Sequence, residues 1–152
     1  MCRFWISIGK KEALEDINRD VMKNKLDELL SSGGPDSQKL ISNTNFIAYH
    51  ARLAIQDLSQ SSNQPFLTSE GNILVYNGEI FNWPELAKEI PKEYINCDLN
   101  SDTKFLSILL ENNLIERFVA RFRGFFSFVY LSINKKIIIF SRDCFGVKPL
   151  YI

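Results

Sequence analysis

Cys2 has a chemical option open to no other cysteine in this chain. A small residue at position 2 lets methionine aminopeptidase remove Met1, and the cysteine then carries its own free α-amine. That amine titrates at about 7.7–8.0, far below a lysine side chain, which suits a general base near neutral pH. An ordinary thiol titrates at about 8.5, so little of it is thiolate at neutrality. Thiol and base on one residue make a self-contained nucleophile. Taken alone, the same cysteine also reads as an incidental residue at the start of a strand.

Four further segments carry candidate chemistry. In His50-Ala51-Arg52-Leu53-Ala54-Ile55 an arginine sits within an apolar run. Burying a guanidinium is costly unless it is paired, and a bidentate grip on a carboxylate is one use for it. The bland reading is a strand-end arginine reaching solvent. Tyr76-Asn77-Gly78-Glu79-Ile80-Phe81-Asn82 reads either as a hairpin turn at Asn77-Gly78 or as an oxyanion hole. In the latter, the Asn77 amide and the Gly78 N–H both donate, and Glu79 contacts a substrate ammonium. Ser101-Asp102-Thr103 is a capped helix start whose Asp102 is placed to hold an α-ammonium. Arg142 to Tyr151 reads structurally as a buried ion pair followed by a turn.

These residues need a frame. Residues 2–8 alternate as a strand, and residues 45–55 read as a buried strand. Leu14, Ile17, Val21, Leu26, Leu29 and Leu30 recur at helical spacing across 12–31, ending at Ser31-Ser32-Gly33-Gly34-Pro35. A polar loop, LSQSSNQP, precedes the hairpin expected over 72–82. Pro84 opens a short helix, and Ser101 caps one running from Asp102 to about Arg121. Segments 124–131 and 136–141 flank Asn134-Lys135 as a second hairpin. This order of strands, helix, strands, helix, strands favours α+β with antiparallel sheets.

Lys+Arg and Asp+Glu each number 18. That balance gives no basic footprint for nucleic acid and little protection against self-association, so a homodimer stays open. No run is apolar enough for a membrane span or signal peptide. Three widely spaced cysteines argue against a disulfide framework and, with one histidine, match no usual metal spacing. A reducing cytoplasm is the default location.

The ordered set of strings resembles the class II glutamine amidotransferase domain of glutamine-dependent asparagine synthetases. Those strings are Cys2 after Met1, Gly34-Pro35-Asp36, HARLAI, Gln64-Pro65, YNGEIFN, SDT, RGFFSFVYL and RDCFGVKPLY. The resemblance implies an N-terminal nucleophile hydrolase fold, an αββα sandwich of two antiparallel sheets between helices. It implies that Cys2 is the nucleophile and its α-amine the base. Arg52 clamps the glutamine carboxylate, with the backbone at Leu53 and Ile55 lining the pocket. Asn77 and the Gly78 N–H form the oxyanion hole, and Glu79 and Asp102 bind the α-ammonium.

The implied reaction hydrolyses L-glutamine to glutamate and ammonia through a γ-glutamyl thioester. The ammonia goes to an ATP-dependent synthetase such as asparagine synthetase. No cofactor is expected in this chain, ATP and Mg belonging to that partner domain. Residues 1–152 are expected to be one such amidotransferase domain, short at its C-terminal end and without the ATP-pyrophosphatase domain. Arg3 stands where the family usually has glycine, and a bulky charge there is expected either to crowd the site or to change its pKa. Gly33 stands where the family's RGPD supplies arginine, Lys104 replaces an acidic residue, and Gln56 and Cys144 differ mildly. Arg3, Gly33 and the short C-terminal end motivate the competing reading, an inactive amidotransferase-like domain acting as a binding or regulatory subunit.

Overall fold

A computed structural model of the chain describes residues 2–55, 63–68, 70–95 and 98–152. Met1, Cys97 and most of the predicted polar loop before Pro65 lie outside these residues. The chain divides into two compact units, Met1–Leu67 and Thr68–Ile152.

In the N-terminal unit the strand β3 (Phe46–Arg52) is buried at every position. It can be so because it is the middle strand of a three-stranded antiparallel sheet, between β1 (Arg3–Ile8) and β2 (Ser37–Ser42). The register pairs Arg3 with Ala51 and Ser37 with Arg52, so the start of β1 and the start of β2 both lie beside the end of β3. Strand β2 had no sequence expectation. Its polar composition hides a pairing that comes from β3.

The single helix expected over 12–31 is two, α1 (Lys11–Glu15) and α2 (Arg19–Leu30). The break has a local cause. Asn18 Oδ1 accepts the N–H groups of Asp20 and Val21 at 3.0 and 3.1 Å, a side-chain cap that starts α2 afresh. Leu26 of α2 packs with Tyr49 and Ala51, and Trp5, Met22, Leu30 and Leu40 close around them. Of these, the buried Leu26 contributes about 1.5–3 kcal/mol. The Tyr49 hydroxyl donates to Asp27 Oδ1 at 2.7 Å, which ties the helix to the strand it covers. A two-residue strand, β4 (Phe66–Leu67), closes the unit.

In the C-terminal unit β5 (Ile73–Ile80), β6 (Gly124–Ser132) and β7 (Ile137–Arg142) pair in that order, all antiparallel. The β6–β7 hairpin lies where the sequence predicts it. The hairpin expected over 72–82 does not form. Strand β5 runs straight through Asn77-Gly78, pairing Asn77 with Ser127 and Gly78 with Phe126. Partnership with β6 overrides the local turn signal. Gly78 sits at φ 150°, a conformation that side-chain-bearing residues rarely adopt.

Pro84 lies in the first turn of α3 (Trp83–Ala87), as expected. Ser101 caps α4, its Oγ accepting the Lys104 N–H at 3.4 Å. The helix stops at Glu111, short of Arg121, because Asn113 turns left-handed at φ 56°. A second short helix, α5 (Ile115–Phe118), follows. Phe105 of α4 meets Phe118 and Phe122 at ring-centroid distances of 6.3 and 6.0 Å, giving the unit an aromatic core. The protein is thus mixed α+β with two antiparallel sheets and helices, as an N-terminal nucleophile hydrolase-like fold requires.

Candidate functional site

The N-terminal unit places Cys2 at the end of β3. One residue past the Arg3–Ala51 pair, its sulfur meets the peptide group of Leu53. The Leu53 N–H donates to Cys2 Sγ at 3.2 Å, and the thiol donates to the Leu53 carbonyl at 3.5 Å. Both are within reach for hydrogen bonds involving sulfur. Burial pushes the Cys2 thiol above its ordinary pKa, against the pull of the Leu53 amide and the Arg52 charge.

Arg52 is 8% exposed, so it is not the solvent-reaching arginine of the bland reading. Its Nη1 donates to Asn63 Oδ1 at 2.6 Å. Of the two backbone positions expected to line the pocket, Leu53 is at the thiol, whereas the Ile55 side chain is 62% exposed.

A loop at residues 31–36 holds this strand end from its other side. Asp36 donates its N–H to the Arg52 carbonyl at 3.0 Å, and Asp36 Oδ2 accepts the Ala54 N–H at 2.8 Å. Gly34 lies so close to the Ala51–Arg52 peptide that a Cβ there would overlap it. The Arg52–Ala54 backbone is therefore gripped on both flanks of the peptide that meets Cys2.

In the C-terminal unit Asn77, Gly78 and Glu79 are half-buried between fully buried neighbours. Asp102, 4% exposed at the first turn of α4, brackets them. Its Oδ2 accepts the Tyr76 hydroxyl at 2.7 Å and the Ile80 N–H at 3.1 Å. Burial raises the Asp102 carboxyl above the usual range, and these two donors only partly offset it. The carboxylate is thus fixed to the two residues flanking 77–79.

Asp143 was not singled out from sequence. The segment around it reads as a buried ion pair followed by a turn; Asp143 and Lys148 are 4% and 1% exposed, while Arg142 is exposed. The Asp143 carboxylate accepts four backbone N–H groups, from Phe126, Phe145, Val147 and Lys148, at 2.9–3.2 Å. Burial works to raise this carboxyl, but the four amides hold it below its ordinary value. No local pattern announces such a residue, because one of its four partners lies seventeen positions away.

The consequence reaches Gly78. Asp143 donates its own N–H to the Phe126 carbonyl at 2.8 Å, so both polar backbone groups of Phe126 face Asp143. In an antiparallel ladder, a residue whose backbone groups point one way has none for the strand on its other side. Gly78 is the partner of Phe126, so its N–H is turned away from β6. The Ile80 N–H, two residues on, points the same way and meets Asp102.

Arg3 does not crowd Cys2. Its Nη1 donates to the Leu29 carbonyl at 3.2 Å and to Ser32 Oγ at 3.1 Å. Among the described residues, no cluster of His, Cys, Asp and Glu could hold a metal ion, and no helix is long and apolar enough to cross a membrane.

Residues 1–152 match the family model described as glutamine amidotransferase domain. The chain is 26% identical over 151 residues to asparagine synthetase [glutamine-hydrolyzing] 1 of Bacillus subtilis, covering 99% of this chain and 24% of that protein. It is 38% identical over 130 residues to asparagine synthetase [glutamine-hydrolyzing] 2 of Lotus japonicus, covering 84% of this chain and 21% of that protein. It is 33% identical over 127 residues to amidase chry2 of Gibberella zeae, covering 82% of this chain and 19% of that protein. The chain therefore spans about a quarter or less of the length of these relatives.

Proposed function

The chain belongs to the glutamine amidotransferase domain family, of the asparagine synthetase type, and on that premise we propose that it hydrolyses the side-chain amide of L-glutamine with Cys2 as nucleophile. The observation that carries the reading is the Leu53 peptide, which holds the Cys2 sulfur by both its N–H and its carbonyl.

With Met1 removed, the Cys2 α-amine takes the thiol proton. The thiolate attacks the side-chain carbonyl carbon of glutamine. Asn77 and the Gly78 N–H donate to the oxyanion that forms. When the tetrahedral species collapses, the ammonium at Cys2 returns its proton to the departing amide nitrogen, and ammonia leaves. Water, deprotonated by the same amine, then attacks the γ-glutamyl thioester, releasing glutamate and restoring the thiol. Arg52 receives the substrate α-carboxylate, while Glu79 and Asp102 receive its α-ammonium. A half-buried thiol ionises less readily than an exposed one, so it gains more from such a base.

In this reading the ammonia passes to an ATP-dependent synthetase region, with ATP and Mg2+ expected to act there rather than in this chain; two of the relatives are named glutamine-hydrolyzing asparagine synthetases. The competing reading is an inactive domain that serves as a binding or regulatory subunit. Release of glutamate from glutamine by the purified protein separates the two. We expect hydrolysis that falls by about four orders of magnitude or more in Cys2→Ala. Equal activity in that variant, or none in the wild type freed of Met1, overturns the catalytic reading.

A further inference from the structure

Arg3 and Gly33 lie thirty residues apart in sequence, and the structure puts them against each other. A Cβ built on Gly33 would lie 2.5 Å from Arg3 Nε and 2.6 Å from Arg3 Cδ and Cγ. Contacts that short do not occur between real atoms, so the Arg3 side chain fills the space a residue at 33 would otherwise use. Gly33 is buried although Arg3 itself is exposed, which fits an arginine laid over a glycine. The guanidinium then reaches the Leu29 carbonyl at the C-terminal end of α2 and the Ser32 hydroxyl. A cation at that helix end is favoured by the unsatisfied carbonyls there.

Beyond Gly33 the chain runs directly into Gly34 and Asp36, which hold the backbone on either side of Leu53. The path from the guanidinium to the nucleophile's sulfur is therefore short. It runs from Arg3 to Ser32, along the 31–36 loop to the Arg52 carbonyl and Ala54 N–H, and through the Leu53 peptide to Cys2. We propose that Arg3 is a positioning residue, strapping the 31–36 loop so that the Leu53 peptide stays registered on the Cys2 sulfur, and that Gly33 is the seat this strap requires. The long side chain at position 3 and the bare glycine at position 33 form one fitted pair.

The catalytic meaning of this strap rests on the nucleophile reading above, so its test uses a readout independent of glutamine. Cys2 is alkylated with iodoacetamide across a pH series, and the N-terminal peptide is followed by mass spectrometry in wild type, Arg3→Ala, Gly33→Ala and the double variant. Arg3→Ala deletes the strap, and Gly33→Ala displaces it without altering Arg3. Either change loosens the amide donated to the thiolate, and the midpoint of the alkylation profile is expected to rise by about half to one pH unit. The double variant is expected to match Arg3→Ala, in midpoint and in Tm, because the second change finds the seat already empty. Midpoints unchanged from wild type, or effects of the two substitutions that simply add, overturn the proposal. Absence of glutaminase activity in the wild type would sink the catalytic reading while leaving these two measurements decisive for the strap.

Discussion

The two units hold their candidate groups by different means. The N-terminal unit clamps main chain at its surface. Asp36 is exposed, Arg3 is exposed, and between them they fix a strand end against which Cys2 is only half-buried. The C-terminal unit clamps main chain from its interior. Asp102 takes the Ile80 amide and Asp143 takes four amides, with both carboxylates almost fully buried. A surface clamp is screened by water and yields readily. A buried carboxylate that carries main-chain amides does not, since an uncompensated amide in the interior is expensive. The contrast assigns adjustment to the nucleophile's unit and rigidity to the unit that carries Asn77 and Gly78.

Substitutions can break or sharpen this contrast, and they rank by expected effect. Asn77→Ala removes a side-chain donor from the rigid unit and is expected to lower kcat by about 10²–10³-fold with little change in KM. A change confined to KM would remove Asn77 from the oxyanion role. Arg52→Ala deletes the carboxylate's partner and is expected to raise the KM for glutamine by roughly 10–100-fold; an unchanged KM refutes the clamp.

Asp102→Asn keeps an acceptor for the Tyr76 hydroxyl and the Ile80 amide but loses the charge. It is expected to raise KM by about tenfold. It should leave Tm at pH 7 equal to wild type or higher. The sign follows from burial, which raises the folded-state pKa. The wild type's relative stability is full below the ordinary carboxylate value and is lost as pH rises through the folded value. A marked drop in Tm at pH 7 would show that the charge is stabilising.

Asp143→Asn sits in the stiffest clamp and is expected to lower Tm by roughly 5–10 °C at pH 7. Here the sign reverses. The folded pKa is lowered, so the contribution is full above about pH 3.9 and disappears as pH falls through the folded value. Wild type and variant are therefore expected to converge in acid. Asp36→Ala, at the surface, is expected to lower Tm by only about 1–4 °C. Equal losses for Asp36 and Asp143 would erase the distinction between the units.

Much of this was legible in the chain. Strands at 2–8 and 45–55, the second hairpin and the Ser101 cap follow from periodicity and turn chemistry, and the ordered strings name the candidate residues. What was not legible is long-range. The turn signal at Asn77-Gly78 yields to pairing with β6, and a polar β2 forms because β3 offers it a ladder. Asn18 divides a helix whose apolar spacing reads as continuous. The four amides that converge on Asp143 are not visible in its sequence neighbours alone. Arg3 and Gly33 are visible as oddities, but only their contact makes them a pair.

The Leu53 peptide has one more implication. Its carbonyl faces a thiol as acceptor and its N–H faces a thiolate as donor. The sulfur can therefore ionise and recover without any neighbouring group having to rotate. Because both atoms are main chain, the side chain at position 53 is free to vary without disturbing this solvation of the sulfur. Proline, which has no N–H to give, is the one residue that would silence it.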